Sequence, residues 1–327
     1  MDVEIVDFTR NLKDFLKKHK KSKFFIVPHE HADVDAICSA LIIQDLLMRF
    51  NIRSEIIIEK MNSQAKKLLE RFPFLYRDAS EFEIEKNEEV VFLIVDTANF
   101  HKIPKKIREK ISKRKKIKIM LFDHHAENEI EEIADLHIIK RYSSLTRMLY
   151  EIYSLLFDIN KSIAVYTIAG ILSDTGYLRY ASKEDLNIIS FLINKYNIDL
   201  KDFSFLYKSF EDIDKKIKMK ALKRLKVFKI KDYWCAYTFV GSEESKIANL
   251  LTQLGFDIAI CVNYKSKRIS IRYDRKLRLF DKGISKGLKE KGFVCGGHES
   301  VIGCAYENKK EMNEIREILK DVLNNIL

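Results

Sequence analysis

Ile117-Lys118-Ile119-Met120-Leu121-Phe122 runs straight into Asp123-His124-His125. A short apolar run reads as a buried strand, and two imidazoles with a carboxylate at its tip are what a divalent-metal site needs. The same pattern occurs twice more upstream. Phe24-Phe25-Ile26-Val27-Pro28 leads into His29-Glu30-His31-Ala32-Asp33-Val34-Asp35, and Val90 to Val95 leads into Asp96-Thr97-Ala98.

Apolar runs of this length, separated by helical patterns, are strands of a mostly parallel sheet covered on both faces. Ligands of such sheets gather at the carboxyl ends of the strands, so clusters far apart in sequence are expected to meet. Helical patterns fall at Phe8 to His19, Ala36 to Met48, Ser63 to Arg71 and Ile103 to Ser112, which gives the βαβ alternation of a doubly wound α/β fold. Further helices are expected at Ser143 to Phe157, Ser162 to Ser173 and Ser182 to Tyr196, with Ser182 as a cap. Asp174 falls at the end of the second of these, before Thr175-Gly176.

A second, smaller α/β unit follows. Its expected parts are strands at Trp234 to Phe239, Ile258 to Tyr264 and Ile269 to Tyr273, helices at Ser242 to Leu254 and Ile284 to Glu290, the loop Val294-Cys295-Gly296-Gly297-His298, and a closing helix from about Lys310. The expected division is a catalytic domain at 1–198, a helical connector at 199–229 and a substrate-binding domain at 230–327.

With 327 residues, 46% of them hydrophobic, the chain can bury two cores. No apolar run approaches the length of a membrane span, and the acidic, amphipathic start does not look like a signal peptide. Five cysteines without CxxC pairing read as reduced, mostly buried thiols of a cytoplasmic protein. The net charge of +11 fits either a solvated lysine-rich surface or attraction of a polyanion such as nucleic acid.

Asp33, Asp35, Asp96, Asp123 and Asp174, with His29, His31, His124 and His125, form a pool of oxygen and nitrogen donors without thiolate. That mixture suits Mn²⁺ or a similar octahedral ion better than structural zinc. Two ions about 3.5 to 4 Å apart would share a bridging carboxylate, activate a water and neutralise a phosphoryl group. His31 reads as an ordinary polar residue and is left out of the ligand set.

The ordered set His29-x-x-x-Asp33-x-Asp35, Asp96, Asp123-His124-His125, Asp174-Thr175-Gly176 and Gly296-Gly297-His298 resembles the DHH phosphoesterase superfamily with its DHH-associated C-terminal domain. Within it the chain is most similar to the nanoRNase and cyclic-dinucleotide phosphodiesterase branch. The resemblance implies an active site in the cleft between the two domains. One metal would be held by His29, Asp33 and Asp96, the other by Asp35, Asp96, His124 and Asp174, with Asp96 bridging. Asp123 would support the imidazoles, and His125 would face the scissile phosphate. Ser270, Arg272, Gly296, Gly297 and His298 would bind substrate. Ala32-Asp33-Val34-Asp35 departs from the family's usual Pro-Asp-Gly-Asp, and Cys295 stands where a third glycine is common.

The implied activity is metal-dependent hydrolysis of short single-stranded RNA or DNA, or of linear or cyclic dinucleotides, to mononucleotides. Mn²⁺ is the expected ion, with Mg²⁺ or Co²⁺ as alternatives, and homodimerisation is left open. Competing readings are a 3′-phosphatase acting on adenosine 3′,5′-bisphosphate, an inorganic pyrophosphatase, and a non-catalytic nucleic-acid binder. A pure binder would gain nothing from carboxylates concentrated near a phosphate backbone.

Overall fold

The computed structural model describes residues 2–85, 88–113, 116–125, 127–206, 215–298, 300–306 and 311–327. The chain divides into two compact units, Met1–Tyr207 and Lys208–Leu327.

In the first unit the strands are β1 (Lys23–Pro28), β2 (His31–Ala32), β3 (Ser54–Ile58), β4 (Lys60–Met61), β5 (Arg77–Asp78), β6 (Val90–Val95), β7 (Ile117–Asp123) and β8 (Leu136–Ile139). Its helices are α1 (Val3–Lys18), α2 (Val34–Arg49), α3 (Ser63–Arg71), α4 (Lys105–Lys113), α5 (Leu145–Leu156), α6 (Lys161–Asp174) and α7 (Lys183–Tyr196). Six strands form one sheet in the order β5-β3-β1-β6-β7-β8, and every neighbouring pair is parallel. β2 and β4 pair separately beside it.

The continuous apolar runs are explained by burial on both faces. Phe24, Ile26, Leu93, Val95, Met120 and Phe122 pack toward α1, α2, α5 and α6. Their alternates Phe25, Val27, Phe92, Ile94, Ile119 and Leu121 pack against Phe82 and the α4 residues Ile107 and Ile111. The chain proceeds outward from β1 to β3 and β5, then returns to β6 and continues outward the other way. This reversal puts the topological switch between β1 and β6, where the strand ends open a crevice.

The second unit contains α8 (Lys215–Lys223), β9 (Lys226–Ile230), β10 (Tyr233–Val240), α9 (Glu244–Gln253), β11 (Ile258–Asn263), β12 (Arg268–Tyr273), α10 (Ile284–Glu290), β13 (Val294–His298), β14 (Val301–Ala305) and α11 (Met312–Ile326). Its sheet runs β13-β14-β12-β11-β10-β9, with only β10 and β11 parallel. α10 and α11 cover one face and α8 and α9 the other. Of the stretch expected as a connector, α8 packs in this unit and β9 pairs with β10.

Two expectations are corrected here. Val294 to His298 is an edge strand, not a loop, because it pairs antiparallel with Val301 to Ala305. The five cysteines are not all thiols: Cys295 and Cys304 form a disulfide, while Cys38, Cys235 and Cys261 are free and buried. Hairpin register sets Cys295 directly opposite Cys304, with Cα atoms 4.1 Å apart, a proximity that a nine-residue separation does not announce. No helix among the described residues is long and apolar enough to cross a membrane.

Candidate metal centre

Each donor sits where a strand or helix ends. β1 delivers His29; Asp33 caps α2, its Oδ1 accepting the Ala36 amide at 3.1 Å. Asp35 lies in the first turn of α2, fully buried. Asp96 follows β6 and takes a left-handed conformation at φ 53°, which Asp tolerates better than most residues. Asp123 ends β7, His124 and His125 follow it, and Asp174 ends α6.

The side chains converge into three interlocking groups: His29 with Asp33 and Asp96, Asp35 with His124 and Asp174, and Asp96 with His124 and His125. His29 Nε2 is 4.0 Å from Asp33 Oδ2 and 3.9 Å from Asp96 Oδ2. His124 Nε2 is 3.3 Å from Asp96 Oδ1, 3.5 Å from Asp174 Oδ2 and 4.0 Å from Asp35 Oδ2. Asp96 thus directs one oxygen to each histidine. Its Oδ1 is buried and has no hydrogen bond of acceptable geometry among the described residues, an arrangement that is costly unless a cation completes it.

His124 Nδ1 lies 3.1 Å from the Tyr142 carbonyl, to which it can only donate. The neutral tautomer therefore carries its lone pair on Nε2, toward the carboxylates. Without a cation the ring holds a second proton firmly. Burial favours the neutral form, but Asp96 and the charges of Asp35 and Asp174 override it and push the imidazole up to about 10. Burial, then the Asp96 charge, push Asp35 up to about 6. Burial and the neighbouring acids also raise Asp33 and Asp174. Burial works the same way on Asp96, but His124, His29 and His125 outweigh it and hold Asp96 below the usual carboxylate value. Four acids at one point with three imidazoles, no thiolate among them, form a donor set that fits one or more octahedral divalent ions.

Asp123 is fully buried and stands behind His125 rather than among the three groups. Its Oδ1 bonds His125 Nδ1 at 2.7 Å and its Oδ2 accepts from Asn128 Nδ2 at 2.6 Å. The Asp123 bond raises the His125 pKa. β7 ends at Asp123, so the extended backbone that would send successive rings to opposite sides stops there; the His124 and His125 rings are neighbours 4.8 Å apart. His125 is about half exposed and has Nε2 to offer.

Ser270 and Arg272 belong to β12 and line, with Ser245 and Arg268, a pocket of about 330 Å³ in the second unit. Arg272 donates to Ser245 Oγ at 2.7 Å, and its Nε has no partner among the described residues. A Cβ on Gly297 would collide with the Val301 carbonyl, whereas one on Gly296 meets nothing, so close hairpin packing accounts for Gly297 only. The His298 side chain lies outside what the structure describes.

Sequence reasoning missed the residues that hold the donors: Asn128 on Asp123, the Tyr142 carbonyl on His124, and Thr146 and Ser144 behind Asp35. Ser144 and Thr146 open a helix, which is the only signal they give.

Residues 23–172 match the DHH family, N-terminal domain. An uncharacterized protein of Methanocaldococcus jannaschii is 26% identical over 95% of either chain. Among solved structures, an exopolyphosphatase-related protein from Bacteroides fragilis superposes with a TM-score of 0.73 at 17% identity, over 98% of this chain and 96% of that one. RecJ from Thermus thermophilus, in complex with Mn²⁺, gives 0.50 at 10% identity, over 98% of this chain and 54% of its own. At these identities the structural likenesses speak for the fold. It is the domain match that assigns the DHH family's N-terminal domain to residues 23–172.

Proposed function

We propose that the protein is a metal-dependent phosphodiesterase that hydrolyses short oligonucleotides, or linear or cyclic dinucleotides, to mononucleotides. The observation that carries this reading is the division of the two Asp96 oxygens between the His29 group and the His124 group. His29, Asp33 and Asp96 would hold one ion, and Asp35, Asp96, His124 and Asp174 the other. Bound there, divalent ions would lower the pKa of water and neutralise non-bridging phosphate oxygens; Mn²⁺ is the first candidate on the donor set, and the Thermus RecJ is found with Mn²⁺ and with Mg²⁺.

The remaining work falls to the chain. Asp123, whose carboxylate engages Nδ1, and then Asp96 favour the protonated form of His125. Its Nε2–H can then donate to a phosphoryl or departing oxygen. Arg272 offers a fork for a terminal phosphate, assisted by Ser270, Gly296, Gly297 and His298.

The test is a panel of two- to twenty-nucleotide RNAs and DNAs, cyclic dinucleotides, pyrophosphate and adenosine 3′,5′-bisphosphate, resolved by product with Mn²⁺ and after chelation. Mononucleotides released fastest from the shortest substrates, only with metal, are expected. Release of orthophosphate alone from the bisphosphate or pyrophosphate, with dinucleotides untouched, would replace this reading.

A further inference from the structure

Asp35 is held more tightly than its neighbours. Its Oδ1 accepts the Thr146 amide at 3.1 Å and the Thr146 hydroxyl at 2.7 Å, and its Oδ2 accepts the Leu145 amide at 2.7 Å. A carboxylate has about four lone-pair sites. Three are taken, and the last lies on Oδ2, the oxygen that faces His124 Nε2.

The Thr146 hydroxyl is itself directed. Its single hydrogen goes to Asp35, so the 3.0 Å contact with Ser144 Oγ requires Ser144 to be the donor. Ser144 Oγ in turn accepts the Arg147 amide at 3.2 Å as the cap of α5. One chain therefore runs from the Arg147 amide through Ser144 and Thr146 to Asp35, every hydroxyl accepting once and donating once. Ser144, Thr146 and Asp35 are all fully buried. The room for this chain comes from Gly170 on α6, where a Cβ would collide with both Thr146 Oγ1 and Asp35 Oδ1.

We propose that Thr146, oriented by Ser144 and accommodated by Gly170, is a positioning residue that leaves Asp35 a single lone pair for a cation and so biases the site toward small octahedral ions over Ca²⁺. Ca²⁺ takes six to eight oxygens and readily draws both oxygens of one carboxylate, whereas Mg²⁺-sized ions accept one. With Oδ1 saturated, Asp35 cannot swing to give both. The inference rests on Asp35 being a metal ligand, as the proposed function has it.

The experiment is calorimetric titration of the chelated whole chain with Mn²⁺ and, separately, with Ca²⁺. Thr146→Val removes the hydroxyl at nearly constant shape, Thr146→Ser restores it, and Asp35→Asn controls for the ligand itself. Expected for Thr146→Val is about a tenfold loss of Mn²⁺ affinity, the low end for losing a group that orients a ligand, with Ca²⁺ affinity unchanged or higher; Thr146→Ser should return both to wild type. Equal losses for both ions, or unchanged Mn²⁺ affinity in Thr146→Val while Asp35→Asn loses an ion, would overturn the positioning role alone. Full Mn²⁺ stoichiometry and affinity in Asp35→Asn would overturn the ligand assignment and this inference with it. Should Thr146→Val fail to fold by circular dichroism, Ser144→Ala breaks the same chain one step earlier, and the same narrowing of the Mn²⁺-to-Ca²⁺ ratio is required of it.

Discussion

Loading the centre should expel a proton from His124, and the amount is calculable. In the metal-free protein this imidazole is pushed up to about 10, so at pH 8 roughly 99% of molecules carry the extra proton, against about 3% for an ordinary histidine. A ligating imidazole must be neutral. Titrating Mn²⁺ into chelated protein at pH 8, in buffers of different ionisation enthalpy, should therefore release about one proton per protein in the step that fills the Asp35–His124–Asp174 group. Apparent affinity in that step should climb about tenfold per pH unit between roughly 7 and 10. The same shift fixes the sign for folding. A raised histidine stabilises the metal-free fold fully below about 6.5 and ceases to do so as pH rises toward 10, and the raised Asp35 carboxyl withdraws its contribution between 3.8 and about 6. The chelated protein should thus melt lower at pH 9 than at pH 6.5, and Mn²⁺ should reverse the order. Proton release near zero at pH 8, or a chelated protein that melts higher at pH 9, would refute the electrostatic account of His124.

Three substitutions test separate parts of the site. Asp96→Asn keeps a residue that tolerates the left-handed backbone but removes the charge shared by both histidine groups; turnover should drop by at least ~10³-fold, and near-normal turnover of the folded variant would end the bridging role. His125→Ala should lower kcat by ~10²-fold or more with metal content unchanged; loss of an ion on elemental analysis would make His125 a ligand instead. Arg272→Ala should raise KM for a dinucleotide by ~10-fold or more, as expected for a charge-assisted contact, while a small chromogenic phosphodiester is cleaved as before; equal losses on both substrates would deny the second unit a binding role.

The sheet and the convergence of the candidate donors were legible because both follow from one physical rule. Strands buried on two faces must be apolar throughout, so polar residues such as Asp96 and Asp123 can begin only where the strand ends, and parallel strands end on the same side. The supporting residues were not legible because their chemistry is ordinary until the fold gives it a partner. Ser144 and Thr146 look like any helix start, Asn128 like any loop residue, and Gly170 like a weak spot in an apolar helix, although it keeps the space beside Asp35 open. The Cys295–Cys304 bond was hidden for a related reason: it depends on hairpin register, and the Gly-Gly pair suggested a turn where the turn comes later.

Among the described residues the candidate donors are drawn from positions 29 to 174, on five separate elements of the first unit, and none comes from the second. A cation there would act as a clasp on distant chain segments that exists only when β1, α2, β6, β7 and α6 are all assembled. By mass action an ion at a hundred times its dissociation constant adds about 2.7 kcal/mol to whatever unfolds with the site. Metal should therefore raise the melting of one unit selectively, and a calorimetric trace that shows a single transition when chelated should broaden or split on loading, with the second core left as the less durable half of the molecule.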